Sequence, residues 1–240
     1  MKKLILTLLL IFLTTSLNAK TLRVAIETWT PFVYFENDTP KGLTIDIFNN
    51  LAKELNIDVE FIKIPWTRAL RMLKNGNIDA MGNLSYSQER EKYIQYIQPS
   101  FYKLKTNFYT LKGNENLISS YSDLYNYTIL TAKGYLYFPK FDTDAKISKE
   151  VIHDRIEKNS QIIEEEIMLK MLLAKRVKVI ISSNAIMDFI IEFGSFKNLV
   201  KKANYAPNYI DPIYVGISKQ SPFIKDINKI NKAMEKILNK

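Results

Sequence analysis

No cysteine occurs anywhere in the 240 residues, and there is a single histidine, His153. The first absence removes disulfides, thiol nucleophiles and thiolate metal sites. The second leaves no histidine-based triad of the familiar kind and no His-rich metal centre. Glycine is scarce, at seven residues, and no Walker-type or GxGxxG loop is present. A phosphate cradle for a nucleotide therefore has no support, and neither a cofactor nor a metal is expected. There is no low-complexity run and no repeat with a period of about twenty to fifty residues, which sets aside disorder and a solenoid. Lys and Arg outnumber Asp and Glu by 34 to 25. The basic residues are scattered, however, without the Lys/Arg run interleaved with aromatics that a nucleic-acid groove needs. The charge reads as solvated surface, and no nucleic-acid partner is expected.

What is present is an ordinary globular composition, 47% hydrophobic and 12% aromatic, enough for one large core or two small ones. Met1-Lys2-Lys3, an apolar run over 4–13 and the small residues before Lys20 have the pattern of a secretory signal peptide, 1–19. An uncleaved N-terminal anchor is the other reading of the same stretch. Without cysteine a lipid anchor has no attachment point, so the expectation is a free, exported, periplasmic chain.

Thr21–Ile26 alternates as a strand, and Leu43–Leu55 carries Ile47, Leu51 and Leu55 at helical spacing. Residues 58–64 alternate again, and Pro65 opens a further helix. Strand, helix and strand in this order predict parallel pairing and an α/β layer architecture. The rest is organised around NGNIDAMGNLSYSQEREKYIQYIQPSFYK, residues 75–103. Asn75-Gly76-Asn77 is a turn, residues 78–81 a short strand, and Gly82-Asn83-Leu84-Ser85 a small-residue loop. Ser87 is an N-cap for a helix holding Gln88, Glu89 and Arg90. A strand, an open loop and a helix N-terminus make an anion site. Arg90 sits in the first turn, where the dipole disfavours a cation, so its guanidinium is assigned to gripping a carboxylate.

The segment resembles the pattern GxxD…(S/T)xx(E)R…F(S)xPY of the family 3 extracellular solute-binding proteins, periplasmic receptors of polar amino acid uptake. The matching residues are Gly76, Asp79, Ser87, Glu89, Arg90, Tyr96, Pro99 and Tyr102. The resemblance implies a two-lobed periplasmic binding protein of type II, a Venus flytrap with a discontinuous first lobe and two hinge strands. Lobe 1 would take residues 20–106 and 204–240, and lobe 2 residues 107–203. It implies a monomer that closes on a small carboxylate-bearing ligand, an amino acid or related organic acid, and delivers it to an ABC permease. A ligand-sensing partner of a membrane receptor is an alternative. Another is an enzyme similar to cyclohexadienyl dehydratase, for which Glu27 would be the acid; a non-enzymatic role is the expectation.

By the same resemblance, Trp29 and Phe32 become candidate pocket walls, with packing under the sheet as the other reading. Trp66 and Arg68 lie at a strand's carboxyl end, where open α/β sheets bind ligands; an ion pair of Arg68 with Glu60 or Glu91 is equally open. N–H groups after Gly82, with Asn83 and Ser85, and after Gly134, with Tyr135, would assist Arg90. Glu164-Glu165-Glu166 reads as a solvated first turn of a helix whose buried stripe is Ile163, Ile167, Met171 and Leu172. Amino acid receptors of the family carry an Asp for the ligand's α-ammonium after the strand at 177–181. Here Ser183-Asn184 stands instead. Asn184 offers a hydrogen bond but no salt bridge, which leaves the ligand's α-amino group open.

Overall fold

The computed structural model describes residues 20–152 and 163–239. The expected signal peptide, His153 and the helix cap expected at 159–161 lie outside these residues. Twelve strands are described: β1 Thr21–Ile26, β2 Tyr34–Glu36, β3 Thr39–Lys41, β4 Asp58–Lys63, β5 Ala80–Ser85, β6 Ile94–Tyr96, β7 Tyr102–Leu111, β8 Ile129–Ala132, β9 Lys149–Ile152, β10 Val179–Ser183, β11 Val200–Lys202 and β12 Ile210–Ser218. The α-helices are α1 Leu43–Leu55, α2 Trp66–Lys74, α3 Gln88–Glu91, α4 Pro139–Thr143, α5 Glu164–Leu173, α6 Asn184–Phe193 and α7 Ile227–Leu238.

The main sheet runs β4-β1-β5-β12-β7-β10-β8-β9. As the strand–helix–strand order predicts, β1 is parallel to both β4 and β5. A second parallel set, β10-β8-β9, lies at the other end. Strand β7 joins them. Its residues 102–105 pair antiparallel with β12, and its residues 106–109 pair antiparallel with β10. The chain thus passes from one half of the sheet to the other along β7 and returns through 203–209 into β12. Among the described residues, no helix is long and apolar enough to cross a membrane.

Helix α1 buries Ile47 and Leu51 of the expected stripe, with Phe48 beside them and Leu55 only half-buried, and stops at Asn56, whose left-handed backbone (φ 52°) lets the cap amide reach back to the last carbonyls. It starts at Gly42 with φ 111°, where a Cβ would lie 2.4 Å from the Phe32 carbonyl oxygen. Only glycine fits that approach. Helix α7 returns residues 227–238 to α1, burying Ile230 and Met234.

Two local expectations are corrected. Strand β5 does not end at 81 but runs through Gly82 and Asn83 to Ser85. It does so as a bulge: Met81 faces Gly216 and Leu84 faces Tyr214, so Gly82 and Asn83 together oppose Val215. In α5 the buried residues are Glu164, Glu165, Met168, Leu169 and Leu172, while Ile167 and Met171 are only half-buried. The helix is rotated from the expected stripe because Met168, Leu169 and Leu172 form the better apolar face, and Glu165 shares it at i, i+4 and i+7.

Asp79 ties the sequence-distant pieces together. Its carboxylate accepts from the Arg23 backbone N–H (3.0 Å), Arg23 Nε (2.8 Å) and Ser221 Oγ (2.8 Å). Its carbonyl accepts from the Ser218 N–H (2.8 Å). One side chain thereby joins β1, the start of β5 and the segment after β12. Burial pushes the carboxyl up, but the bonds from Arg23 and Ser221 outweigh it and hold Asp79 below the usual carboxylate range. Asp79→Ala is expected to cost about 2–3 kcal/mol, the lower part of the range for breaking a buried pair because Arg23 is 39% exposed and can be rehydrated. Calorimetric melting should show a midpoint lower by roughly 4–12 °C. An unchanged midpoint would show that Asp79 does not tie these segments.

Candidate ligand-binding site

A partly open cavity of about 60 Å³ lies between the two halves of the sheet, beside β7. Glu27, Trp29, Trp66, Gly82, Asn83, Ser85 and Arg90 reach it from the β1–β5 half; Tyr135, Glu165, Ser182 and Ser183 reach it from the β8–β10 half; Asp211 comes from β12. The β1 loop, the β5 bulge and the start of α5 therefore converge on one space.

Arg90 is placed by α3, whose first turn is capped by the Ser87 hydroxyl accepting from the Arg90 N–H (3.2 Å). The side chain then folds inward and is 6% exposed. Nη1 donates to the Ser85 carbonyl (3.2 Å) and Nη2 to the Gly134 carbonyl (2.6 Å). The guanidinium also lies 5.8 Å from the Trp66 ring centre. No salt bridge to Arg90 is found among the described residues. A guanidinium has five N–H donors and stays protonated. Burial pulls its pKa below the usual guanidinium value, against the opposing pull of nearby Tyr96, Tyr93 and Asp211. The group is therefore a buried cation held by neutral carbonyls, with donors to spare.

Gly134 behaves opposite to expectation. It offers a carbonyl, which accepts from both Arg90 Nη2 (2.6 Å) and Trp66 Nε1 (3.1 Å). Two of the N–H groups after it are engaged: that of Tyr135 by the Ala132 carbonyl (3.3 Å), that of Tyr137 by the Asp142 carboxylate (3.0 Å). The turn and the short helix α4, which carries Asp142, supply these acceptors locally. Gly82 meets its expectation differently. A Cβ there would sit 2.4 Å from Thr44 Cγ2, so glycine lets β5 pass against α1. Asn83, at φ 58°, accepts from Thr44 Oγ1 (2.7 Å). That engages the amide oxygen with Thr44, which lines the cavity beside it.

Of the sequence-derived candidates, the cavity gathers Arg90, Trp29, Trp66, Gly82, Asn83, Ser85 and Tyr135. It does not gather Phe32, Arg68, Gly134 or Asn184. Phe32 is 1% exposed in the core, with Trp29 stacked on it at 5.1 Å and Tyr102 edge-on at 4.8 Å. It supports the wall rather than forming it. Arg68 is exposed on α2. Asn184 turns its Oδ1 to the Lys105 N–H (3.1 Å), bracing β7.

Three groups escaped the sequence reading. Glu165 is 1% exposed, not solvated. Its Oε1 accepts from Trp29 Nε1 (3.2 Å) and Ser182 Oγ (3.4 Å), while Oε2 has no partner. Burial, aided by neighbouring Glu164, pushes Glu165 up to about 7. Asp211 accepts from Ser85 Oγ (2.6 Å), and burial pushes it up to about 6. Ser183 Oγ is also buried without a partner. The i, i+4, i+7 spacing of Glu165, Leu169 and Leu172 was the available signal for Glu165; for Asp211, next to Pro212 at a strand start, there was none. Glu27, named for its chemistry, lines the cavity and accepts the Trp66 N–H at the start of α2 (2.9 Å). Among the described residues, no group of three His, Cys, Asp or Glu is arranged to hold a metal ion.

The family model of bacterial extracellular solute-binding proteins, family 3, matches residues 22–240. The chain belongs to this family. Its fold is the two-lobed α/β type II architecture, with a discontinuous first lobe and two crossings, β7 and the return at 203–209. Among solved structures it is similar to an amino acid ABC transporter substrate-binding protein from Streptococcus pneumoniae bound to L-arginine, at 19% identity and TM-score 0.72 over 91% of this chain and 89% of that one. A Salmonella typhimurium periplasmic binding protein with high arginine specificity gives 16% identity and TM-score 0.71, over 92% and 95%. A histidine kinase sensor domain gives 14% identity and TM-score 0.73, over 92% and 91%. At these identities the likeness is one of fold.

The raised carboxyls set a pH dependence. Glu165 and Asp211 bind protons more tightly folded than unfolded, so each favours folding at low pH, and that benefit is lost as pH rises from the ordinary carboxylate range through about 6 to 7. The ligand-free thermal midpoint is expected to fall between pH 5 and pH 8, and Glu165→Gln should flatten the decline. A midpoint that rises across this interval in both proteins would contradict the buried-acid account.

Proposed function

We propose that this solute-binding protein captures a small carboxylate-bearing ligand, an amino acid or related organic acid, between its lobes in the periplasm and delivers it to an inner-membrane ABC permease. The observation that carries the reading is Arg90, a nearly fully buried guanidinium lining the cavity with no salt-bridge partner among the described residues. A buried cation without an anion is costly, and a ligand carboxylate satisfies it by the bidentate geometry that arginine favours. The Asn83 side chain lines the same cavity, while the Ser85 hydroxyl already donates to Asp211. Trp29, Trp66 and Tyr135, set edge to face at 6.4 and 6.1 Å, cover the apolar part.

In this reading lobe 1 comprises 20–106 and 204–240, lobe 2 comprises 107–203, and β7 with the return at 203–209 are the two hinges. The lobes already touch through Arg90 and Trp66 on the Gly134 carbonyl and through Trp29 on Glu165. The ligand adds charge-assisted contacts that exist only when both lobes meet, so binding shifts the population to the closed form that the membrane partner recognises.

The test is a thermal-shift screen of the purified protein against L-amino acids, dicarboxylates, α-keto acids and aromatic acids, followed by calorimetry of the hits. A ligand at about a hundredfold above its Kd should stabilise by roughly 2.7 kcal/mol. Arg90→Ala should weaken the hit by well over tenfold. An affinity unchanged in Arg90→Ala would remove the carboxylate grip and with it this reading.

A further inference from the structure

We propose that Glu165 receives a protonated amine of the ligand, and that the amine displaces a proton from this carboxyl group as it binds. The proposal rests on the solute-binding reading above and narrows the ligand to compact molecules that carry an ammonium as well as a carboxylate. The carrying observation is geometric. Glu165 lines the cavity at 1% exposure, and its two oxygens are in different situations. Oε1 accepts from Trp29 Nε1 and Ser182 Oγ. The indole N–H can only donate, so Oε1 is an acceptor. Oε2 has no partner. Ser183 Oγ, the other partnerless buried oxygen on this wall, is a second acceptor for the same group. The rings of Trp29 and Tyr135 add faces that attract a cation.

Asn184, the residue at the place where an acid was sought in the sequence, cannot do this work. Its Oδ1 already holds the Lys105 N–H. Asp211 is less suited, because its Oδ2 accepts from Ser85 and it lies in the field of Arg90. Glu165 has no such cation near it among the described residues.

The proton balance follows from donors and acceptors. An ammonium has three donors and no acceptor. A neutral carboxyl that turned its O–H towards that ammonium would set donor against donor. The carboxyl therefore ionises: the O–H bond of Glu165 breaks, its electron pair stays on oxygen, and the proton passes to solvent. The ligand nitrogen keeps all its hydrogens. The charged and titratable groups around Glu165 agree with a neutral resting state. Glu164 comes from its own helix, Tyr135 and Tyr137 from the loop after β8, and Glu27 from the end of β1. β10 supplies only hydroxyls, and on α6 Asp188 is engaged by Lys202 and Tyr109. Arg90 and Asp211 line the same cavity. Burial and Glu164 place the group at about 7, so it holds its proton at pH 6.

The experiment is calorimetry of the protein purified from the periplasm of an expression host, in two buffers of different ionisation enthalpy, at pH 6 and pH 9. The probes are L-alanine, L-aspartate and L-glutamate, each beside its deaminated counterpart: propionate, succinate and glutarate. The expected result is binding of an amino acid in preference to its counterpart, with release of about one proton per ligand at pH 6 and none at pH 9. Glu165→Gln should weaken that binding at least tenfold and abolish the release. Glu165→Asp, which keeps the acid, should retain the release, so a folding failure of the Gln variant leaves the test standing. Equal binding of the deaminated acids, without proton release but still dependent on Arg90, would overturn the role of Glu165 and leave the solute-binding reading intact. Binding of neither class would overturn that reading and this inference together.

Discussion

The cleft depends on one unbalanced charge. Arg90 is folded into the interior with two of its donors on main-chain carbonyls, one from each side of the cavity, and its remaining donors unmatched by any described acid. Carbonyl dipoles orient a guanidinium without neutralising it. Under the proposed function the site is thus preorganised for an anion in the sense that matters for affinity: the desolvation of the arginine is met during folding, and a ligand would supply the missing charge. The surrounding walls make sense on this basis. Phe32 stiffens Trp29 from below, Trp66 lies under the guanidinium, and the Gly82 bulge brings the β5 backbone close enough for Asn83 and Ser85 to stand beside Arg90.

Closure follows from the same charge. The Gly134 carbonyl receives both Trp66 and Arg90, so the loop after β8 is drawn towards the β5 side by two donors on one oxygen. Each such bond exchanges a water for a protein partner and is worth only about 1 kcal/mol, somewhat more for the charged donor. Two or three contacts of this size bias the lobes towards each other without locking them. In the proposed function, a ligand anion that answers the charge of Arg90 adds more than these protein contacts do, so the balance between open and closed forms would be left to the ligand.

Much of the frame was legible in residues alone. The period of α1, the parallel β1–β4 pair and the role of 75–103 as the organising stretch follow from spacing and turn chemistry, and Arg90, Trp29, Trp66 and Tyr135 meet in one cavity. What was not legible depended on tertiary choice. Three consecutive glutamates at a helix start look solvated on any local rule, and the rotation of α5 that buries Glu165 is decided by how Leu169 and Leu172 pack, not by the first turn. Gly134 was read as a source of amide donors; which end of its peptide faces the cleft is settled by Arg90 and Trp66 arriving from sequence positions far away. Asn184 was read from its place after a strand, but β7 lies near enough to claim its oxygen.

Asp79 and Arg90 belong to one stretch of sequence and show how the same chemistry serves stability or binding according to whether it is completed. Asp79 is a buried acid with every need met inside the chain, by Arg23, Ser221 and backbone, and it ties three distant segments into one half of the sheet. Arg90, eleven residues further along, is a buried cation with no salt bridge among the described residues. The acids that could have completed it are held apart in other ways. Glu27 is fixed on the first N–H of α2, Asp211 is tied to Ser85, and Glu165 is anchored to Trp29. With Asp211 and Glu165 raised towards neutrality by burial, the cavity does not carry the full negative charge that a count of its carboxylates suggests. A lining of this kind can take up a carboxylate at one end without expelling it from the other, which a cleft of fully ionised acids could not do.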